Sequence, residues 1–224
     1  AFFLENVKGL AIHDKGRTLK TILNTLDEVG YVVPEPQIVN AMFFGVPQHR
    51  ERIYIVGFRK DLGLTAEDFS YPEQKEVTKK WIDVREENPV PAKYYLSTTY
   101  QQTLINHKAR HAAKGNGFGY DIIPDDGIAH AIVVGGMGRE SNLVIDFRQK
   151  DLTPTTNIKG TVNTDGWRKM TPREWARLQG YPDNFKIVVA DASAYKQFGN
   201  SVAVPAIQAT AAQLLKSLND KKIL

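Results

Sequence analysis

Arg52-Ile53-Tyr54-Ile55-Val56-Gly57-Phe58 is a nearly continuous apolar, β-branched and aromatic run, the pattern of a strand buried on both faces. Upstream of it, Tyr31-Val32-Val33 and Gln37-Ile38-Val39 read as extended segments broken by Pro34 and Pro36. Before these, Leu19, Ile22, Leu23, Leu26 and Val29 recur at helical spacing and Gly30 supplies a stop, so residues from about 17 to 29 are expected to form an amphipathic helix. Ala1-Phe2-Phe3-Leu4, at the start, is expected to be a buried strand that delivers Glu5-Asn6-Val7 at its end. Strand, helix, strand is the order of an α/β fold.

Two features of this stretch carry chemistry. In open α/β sheets ligands bind beyond the carboxyl ends of strands, so Glu5 is a site candidate, with a surface or capping carboxylate as the alternative. Gln48-His49-Arg50-Glu51-Arg52 stands immediately before the strongest strand. Two arginines two residues apart point to the same side of an extended segment, where their planar forks suit an anion or a base carbonyl. The alternative is a solvated charged strand entrance.

Beyond Arg59 the texture changes. Pro72, Pro89 and Pro91 punctuate a charged stretch, and glycine-rich pieces with short β-branched runs follow up to about Asn163. A second domain is expected there, over residues 80–185, with residues 1–79 and 186–224 forming the other. Thr171-Pro172-Arg173-Glu174 has a capping-box pattern with proline at the first helical position, predicting a short helix that stops at Gly180. Ile207, Thr210, Ala211, Leu214, Leu215 and Leu218 form an apolar stripe after Pro205, the mark of a C-terminal amphipathic helix.

Composition narrows the function. The 224 residues include no cysteine, which removes disulfides, thiolate metal sites and a thiol nucleophile from this chain. No apolar stretch approaches the roughly 20 residues of a membrane span, and a cytoplasmic setting is the simplest expectation. The 29 Lys+Arg against 25 Asp+Glu give +4, a mild pointer to a polyanionic partner. Lys93, His107, Lys108, Arg110, His111 and Lys114 crowd the middle of the chain, the expected DNA face, although a solvated basic helix face has the same composition.

Four blocks then combine: Phe3-Leu4-Glu5-Asn6-Val7; Gln48, Arg50 and Arg52; Thr171-Pro172-Arg173-Glu174 through Gly180-Tyr181-Pro182; and Gln197-x-Gly199-Asn200-Ser201-Val202-x-Val204-Pro205. In this order and spacing the chain resembles the later motif blocks of the bacterial DNA cytosine-5 methyltransferases. Asn116-Gly117-Phe118-Gly119-Tyr120 and Gly135-Gly136-Met137-Gly138-Arg139 resemble the HpaII-type members, which act on CCGG.

The resemblance implies an α/β fold, made of a partial S-adenosylmethionine-dependent, Rossmann-like core plus a smaller, mostly β target-recognition domain. It implies that a cysteine thiolate adds to C6 of a flipped cytosine, so that C5 attacks the methyl group of S-adenosylmethionine. Glu5 would protonate or hydrogen-bond N3, with burial raising its pKa; Arg52 would bind O2 and Arg50 would hold the catalytic loop. Asn200, Ser201 and Val202 would line the methionine end of the cofactor. Lys108, Arg110, His111 and Lys114 would meet phosphates of double-stranded DNA. Base reading would fall to the glycine-rich loops, with Asn116, Tyr120 and above all Arg139 as a guanine reader; Tyr120 and Phe118 would serve equally as core residues. Arg173, Glu174 and Arg177 are expected to be architectural. No metal is expected. The cofactor loop and the Pro-Cys nucleophile loop are expected in a missing N-terminal half of the same enzyme, leaving this portion inactive alone. A non-catalytic DNA-binding module or a split-enzyme subunit is the alternative.

Overall fold

The computed structural model describes residues 1–135, 139–154 and 160–223. Its strands and α-helices run, in chain order, β1 (Phe2–Val7), α1 (Arg17–Glu28), β2 (Tyr31–Val32), β3 (Gln37–Asn40), β4 (Gln48–His49), β5 (Glu51–Arg59), α2 (Thr98–Ala112), β6 (Ala129–His130), β7 (Leu143–Ile145), β8 (Trp167–Lys169), α3 (Pro172–Leu178), α4 (Asp191–Asn200) and α5 (Val204–Asp220). They fall into two compact units: residues 1–45, 50–77 and 203–224, and residues 46–49 and 78–202.

In the first unit the apolar run 52–58 forms most of β5, the centre of a four-stranded sheet. β1 pairs antiparallel along one side of it, placing Glu5 opposite Tyr54 and Val7 opposite Arg52. β3 and β2 pair antiparallel along the other side, β3 beside Glu51–Tyr54 and β2 beside Phe58 and Arg59. Val56 and Phe58 are fully buried and pack with Leu64, Phe69 and Leu218, with Phe3, Tyr71 and Leu214 around them. Each such side chain contributes about 1.5–3 kcal/mol by leaving water. Gly57 is required because the Phe2 ring lies over it; a Cβ there would meet that ring at 2.3 Å.

β1 differs from its expected burial: none of its residues is fully buried, and Leu4 is 46% exposed. Among the described strands β5 is the one neighbour of β1, and Phe3 still packs against the core beside Val56 and Phe58. The apolar residues Leu19, Ile22, Leu23 and Leu26 of α1 are half-buried along one stripe. On α5, Thr210 and Leu218 are buried whereas Leu215 is half exposed, so the apolar stripe is narrower than its sequence.

The second unit is the longer of the two within this chain. Its β structure consists of short pieces, β4 parallel to β6 and β7 antiparallel to β8, alongside α2, α3 and α4. A core of Trp81, Ile132, Met170, Trp175, Leu178, Tyr195 and Phe198 joins α3 to α4. Residues 186–202 thus pack with this unit, where the sequence pattern groups them with the C-terminal helix: Ala194, Tyr195 and Phe198 bury one face of α4 against it.

Candidate active site and nucleic-acid interface

The first unit gathers Glu5, Arg52, Arg50 and Tyr54. Glu5 and Tyr54 are cross-strand partners, and Arg52 lies two residues before Tyr54 on the same face of β5. Arg52 Nε lies 3.0 Å from Glu5 Oε1, with the side chains 16% and 24% exposed, and Arg52 also donates to the Glu51 carbonyl at 2.8 Å. The pair is therefore screened yet open to a ligand. Arg50 is buried at 3% exposure. Burial first, then the Arg52 charge, lowers its pKa to about 10. Its backbone is fixed on both sides: Arg50 N donates to Asn40 Oδ1 at 3.1 Å, and Ala41 N donates to the Arg50 carbonyl at 3.0 Å. Burial, and then the Glu5 charge, raise the Tyr54 phenol well above its ordinary value. Tyr54 and Asn40 belong to this constellation and were hidden in apolar runs of the sequence.

Gln48 behaves differently from its arginine neighbours. It is fully buried in the second unit, where Nε2 donates to the Leu178 carbonyl at 2.8 Å and Oε1 accepts from Ile132 N at 2.9 Å. One polar side chain thereby ties β4 to α3 and to the segment after β6.

The basic residues of the middle lie on and after α2, whose N-cap Ser97 accepts from Tyr100 N. They do not form one uniform stripe. Arg110 and Lys114 are exposed, whereas the Lys108 ammonium donates to the Tyr120 carbonyl at 2.9 Å and sits 4.6 Å from the Tyr120 ring centre. His111 lies 4.4 Å from His107 and 5.7 Å from Phe118, ring centre to ring centre. Desolvation, and then His107 and its basic neighbours, lower the His111 pKa. Asn116 is exposed, and its backbone amide donates to the His111 carbonyl. Tyr120 packs on Trp167 and against Leu96, Leu104 and Leu143, the core alternative for that residue. Arg139 is exposed, its guanidinium 5.3 Å from the Tyr195 ring centre. Gly136, Met137 and Gly138 of the second glycine-rich loop lie outside the described residues.

The residues of the third motif build the unit. Thr171 and Glu174 form a reciprocal capping box. Glu174, with no exposed surface, receives both guanidinium arms of buried Arg168 at 2.8 Å, and Arg168 also reaches Asp146 at 3.0 Å. Arg177 pairs with Asp183 and donates to the Val84 and Arg85 carbonyls, while Arg173 donates to the Phe185 carbonyl.

A profile of the family described as C-5 cytosine-specific DNA methylase matches residues 1–216. The chain belongs to this family. It is 70% identical over 221 residues to the Type II methyltransferase M.HpaII of Haemophilus parainfluenzae, a match covering 98% of this chain and 61% of that protein. It is 40% identical to the Type II methyltransferase M1.ScrFI of Lactococcus lactis subsp. cremoris, covering 99% of this chain and 53% of the relative. The chain thus spans about half to three-fifths of these relatives. Among solved structures, the Dnmt2 methyltransferase of S. pombe superposes with a TM-score of 0.66 at 19% identity, over 97% of this chain and 66% of that one. The methyltransferase EhMeth of Entamoeba histolytica gives 0.65 at 22% identity, over 97% and 62%. The fold is that of the S-adenosylmethionine-dependent methyltransferases.

The donor chemistry of residues 200–202 suits part of that cofactor. Asn200, the last residue of α4, is exposed, and Ser201 and Val202 are half-buried. The Asn200 side-chain amide and the Ser201 hydroxyl are donors of the kind that suit a carboxylate. Among the described residues no group of three or more histidine, aspartate or glutamate side chains is arranged to hold a metal ion, and no helix is long and apolar enough to cross a membrane.

Proposed function

We propose that this chain is the C-terminal portion of a DNA cytosine-5 methyltransferase of a restriction–modification system. It contributes to methylation of cytosine in double-stranded CCGG DNA, on a base flipped from the helix and in a bacterial cytoplasm. The observation that carries the reading is the screened Glu5–Arg52 pair on adjacent strands, backed by buried Arg50, within a chain 70% identical to M.HpaII.

In this reading Glu5 gives a proton or a hydrogen bond to cytosine N3 through Oε2, while Oε1 keeps Arg52 in place. Arg52 holds O2 and stabilises charge developing on the ring. Arg50, buried and fixed at its backbone, braces the loop that carries the nucleophile. S-adenosylmethionine, when bound, supplies the methyl group; Asn200, Ser201 and Val202 hold its methionine end. The second unit binds DNA: Lys108, Arg110, His111 and Lys114 face phosphates, and Asn116, Tyr120 and Arg139 belong to the recognition loops. The thiolate for C6 must come from another polypeptide segment, because none of the 224 residues is a cysteine. The same fact favours a second reading, a DNA-binding module or split subunit without catalysis of its own.

Complementation separates the two. The chain alone is expected to transfer no methyl group. Mixed with the N-terminal portion of its 70%-identical relative, it is expected to methylate a CCGG duplex and not a scrambled one. Folded partners that associate without methyl transfer would leave the binding-module reading.

A further inference from the structure

One face of α4 presents Ala192, Tyr195, Lys196 and Gly199, positions three and four residues apart. Beside this face runs a groove of about 250 Å³, whose walls include Trp175, Tyr195, Val133 and Val134 and whose charged side chains are Arg139 and Lys196. Gly199 permits the close approach that shapes it, since a Cβ there would meet Val134 N at 3.2 Å and Val134 Cγ2 at 2.7 Å.

Among the described residues the groove lining includes no acidic side chain. Nearby acids are engaged elsewhere: Asp191 is held by Lys93 at 2.7 Å and Tyr94 at 3.0 Å, and buried Glu140 by Lys169 and Tyr100, both at 3.0 Å. Arg139 lies over a ring that is itself fixed, because the Tyr195 hydroxyl donates to the Met170 carbonyl. A guanidinium lying over a fixed ring and an exposed ammonium beside an apolar wall match a phosphodiester oxygen with its sugar alongside.

We propose that Arg139 and Lys196 clamp one backbone phosphate of DNA, with the adjoining deoxyribose against Val133 and Val134. Lys196 is then a DNA contact, and Arg139 contributes affinity and register in place of reading a guanine. The proposal rests on the DNA methyltransferase reading above.

The test is a fluorescence anisotropy titration of the full 224-residue chain against a CCGG duplex and a scrambled duplex over a salt series. Arg139→Gln, Lys196→Gln and the double variant are compared. Both side chains are exposed, and unchanged thermal melts verify folding. Each single variant is expected to weaken both duplexes by the same factor and to reduce the log–log salt slope by about 0.9, and the double variant by about twice that. A methylphosphonate at one backbone position should weaken the unaltered chain but not the double variant. An unchanged slope in the double variant overturns the clamp, as does a loss confined to the CCGG duplex, which marks base reading. Competition by millimolar inorganic phosphate that vanishes in the double variant, with DNA binding unaffected by both substitutions, reassigns the groove to free anions and overturns it too. A chain that binds neither duplex overturns the DNA reading and the clamp together; one that binds with a slope indifferent to both residues overturns the clamp alone.

Discussion

The two units differ in their most screened ion pairs. In the second, Arg168, Asp146 and Glu174 are joined with no side-chain exposure at all, around the first turn of α3. In the first unit most described pairs lie at the surface, as with Arg59 and Asp61 at 61% and 59% exposure; Glu5 and Arg52, at 24% and 16%, are the most screened among them. A pair sealed from solvent cannot exchange its partner for a substrate and so serves architecture. A pair that is screened but still open can do so, which is why the Glu5–Arg52 pair is the candidate for chemistry.

The largest expected effect comes from breaking the sealed network. Glu174→Ala leaves Arg168 buried without its bidentate partner and removes the capping box, a loss of about 3–5 kcal/mol. All three tryptophans lie in the second unit, so urea unfolding followed by tryptophan fluorescence reads it directly. An unchanged midpoint would mean that water reaches Arg168. Gly199→Ala, which forces a methyl group against the Val134 backbone, is expected to cost about 1–3 kcal/mol in the same assay.

Acid sharpens the contrast further. Burial alone would raise the Asp146 carboxyl, but hydrogen bonds from the Arg148 side chain and backbone, with the Arg168 and Arg148 charges, hold it well below the ordinary carboxylate range. A depressed folded pKa contributes stability that is present above the unfolded value of about 3.9 and lost as pH falls toward the folded one. The fluorescence midpoint of the second unit should hold steady from neutral pH to about pH 5 and decline below about pH 4. Asp146→Asn should lower it at neutral pH and flatten the acid limb; an acid limb of unchanged steepness would point to other carboxylates. The smallest effect belongs to the surface of the first unit, where Asp61→Ala should change stability by less than about 0.5 kcal/mol.

Sequence patterns disclosed α1, β5 and the capped start of α3, because periodicity and capping chemistry are local. They missed α4: its apolar positions Ala194, Tyr195 and Phe198 amount to a single short face, and its end merges with the Gly199-Asn200-Ser201 motif. Nothing local marks Trp167-Arg168-Lys169 as buried, since burial of Arg168 depends on acids 22 residues before and 6 after it. Glu5, Arg50 and Arg52 stand out in the sequence as candidates, but Tyr54 does not, since its place opposite Glu5 follows from the β1–β5 register. β1 is less buried than its apolar run suggests, because such a run does not say how many neighbours its strand has within the described residues.

The most direct test of the central claim is Glu5→Gln in the chain reconstituted with its relative's N-terminal portion, measuring turnover and DNA affinity together. Turnover on CCGG DNA is expected to fall by about 10²–10⁴-fold with affinity unchanged. Undiminished turnover would contradict the assignment and return the Glu5–Arg52 pair to the architecture of the sheet.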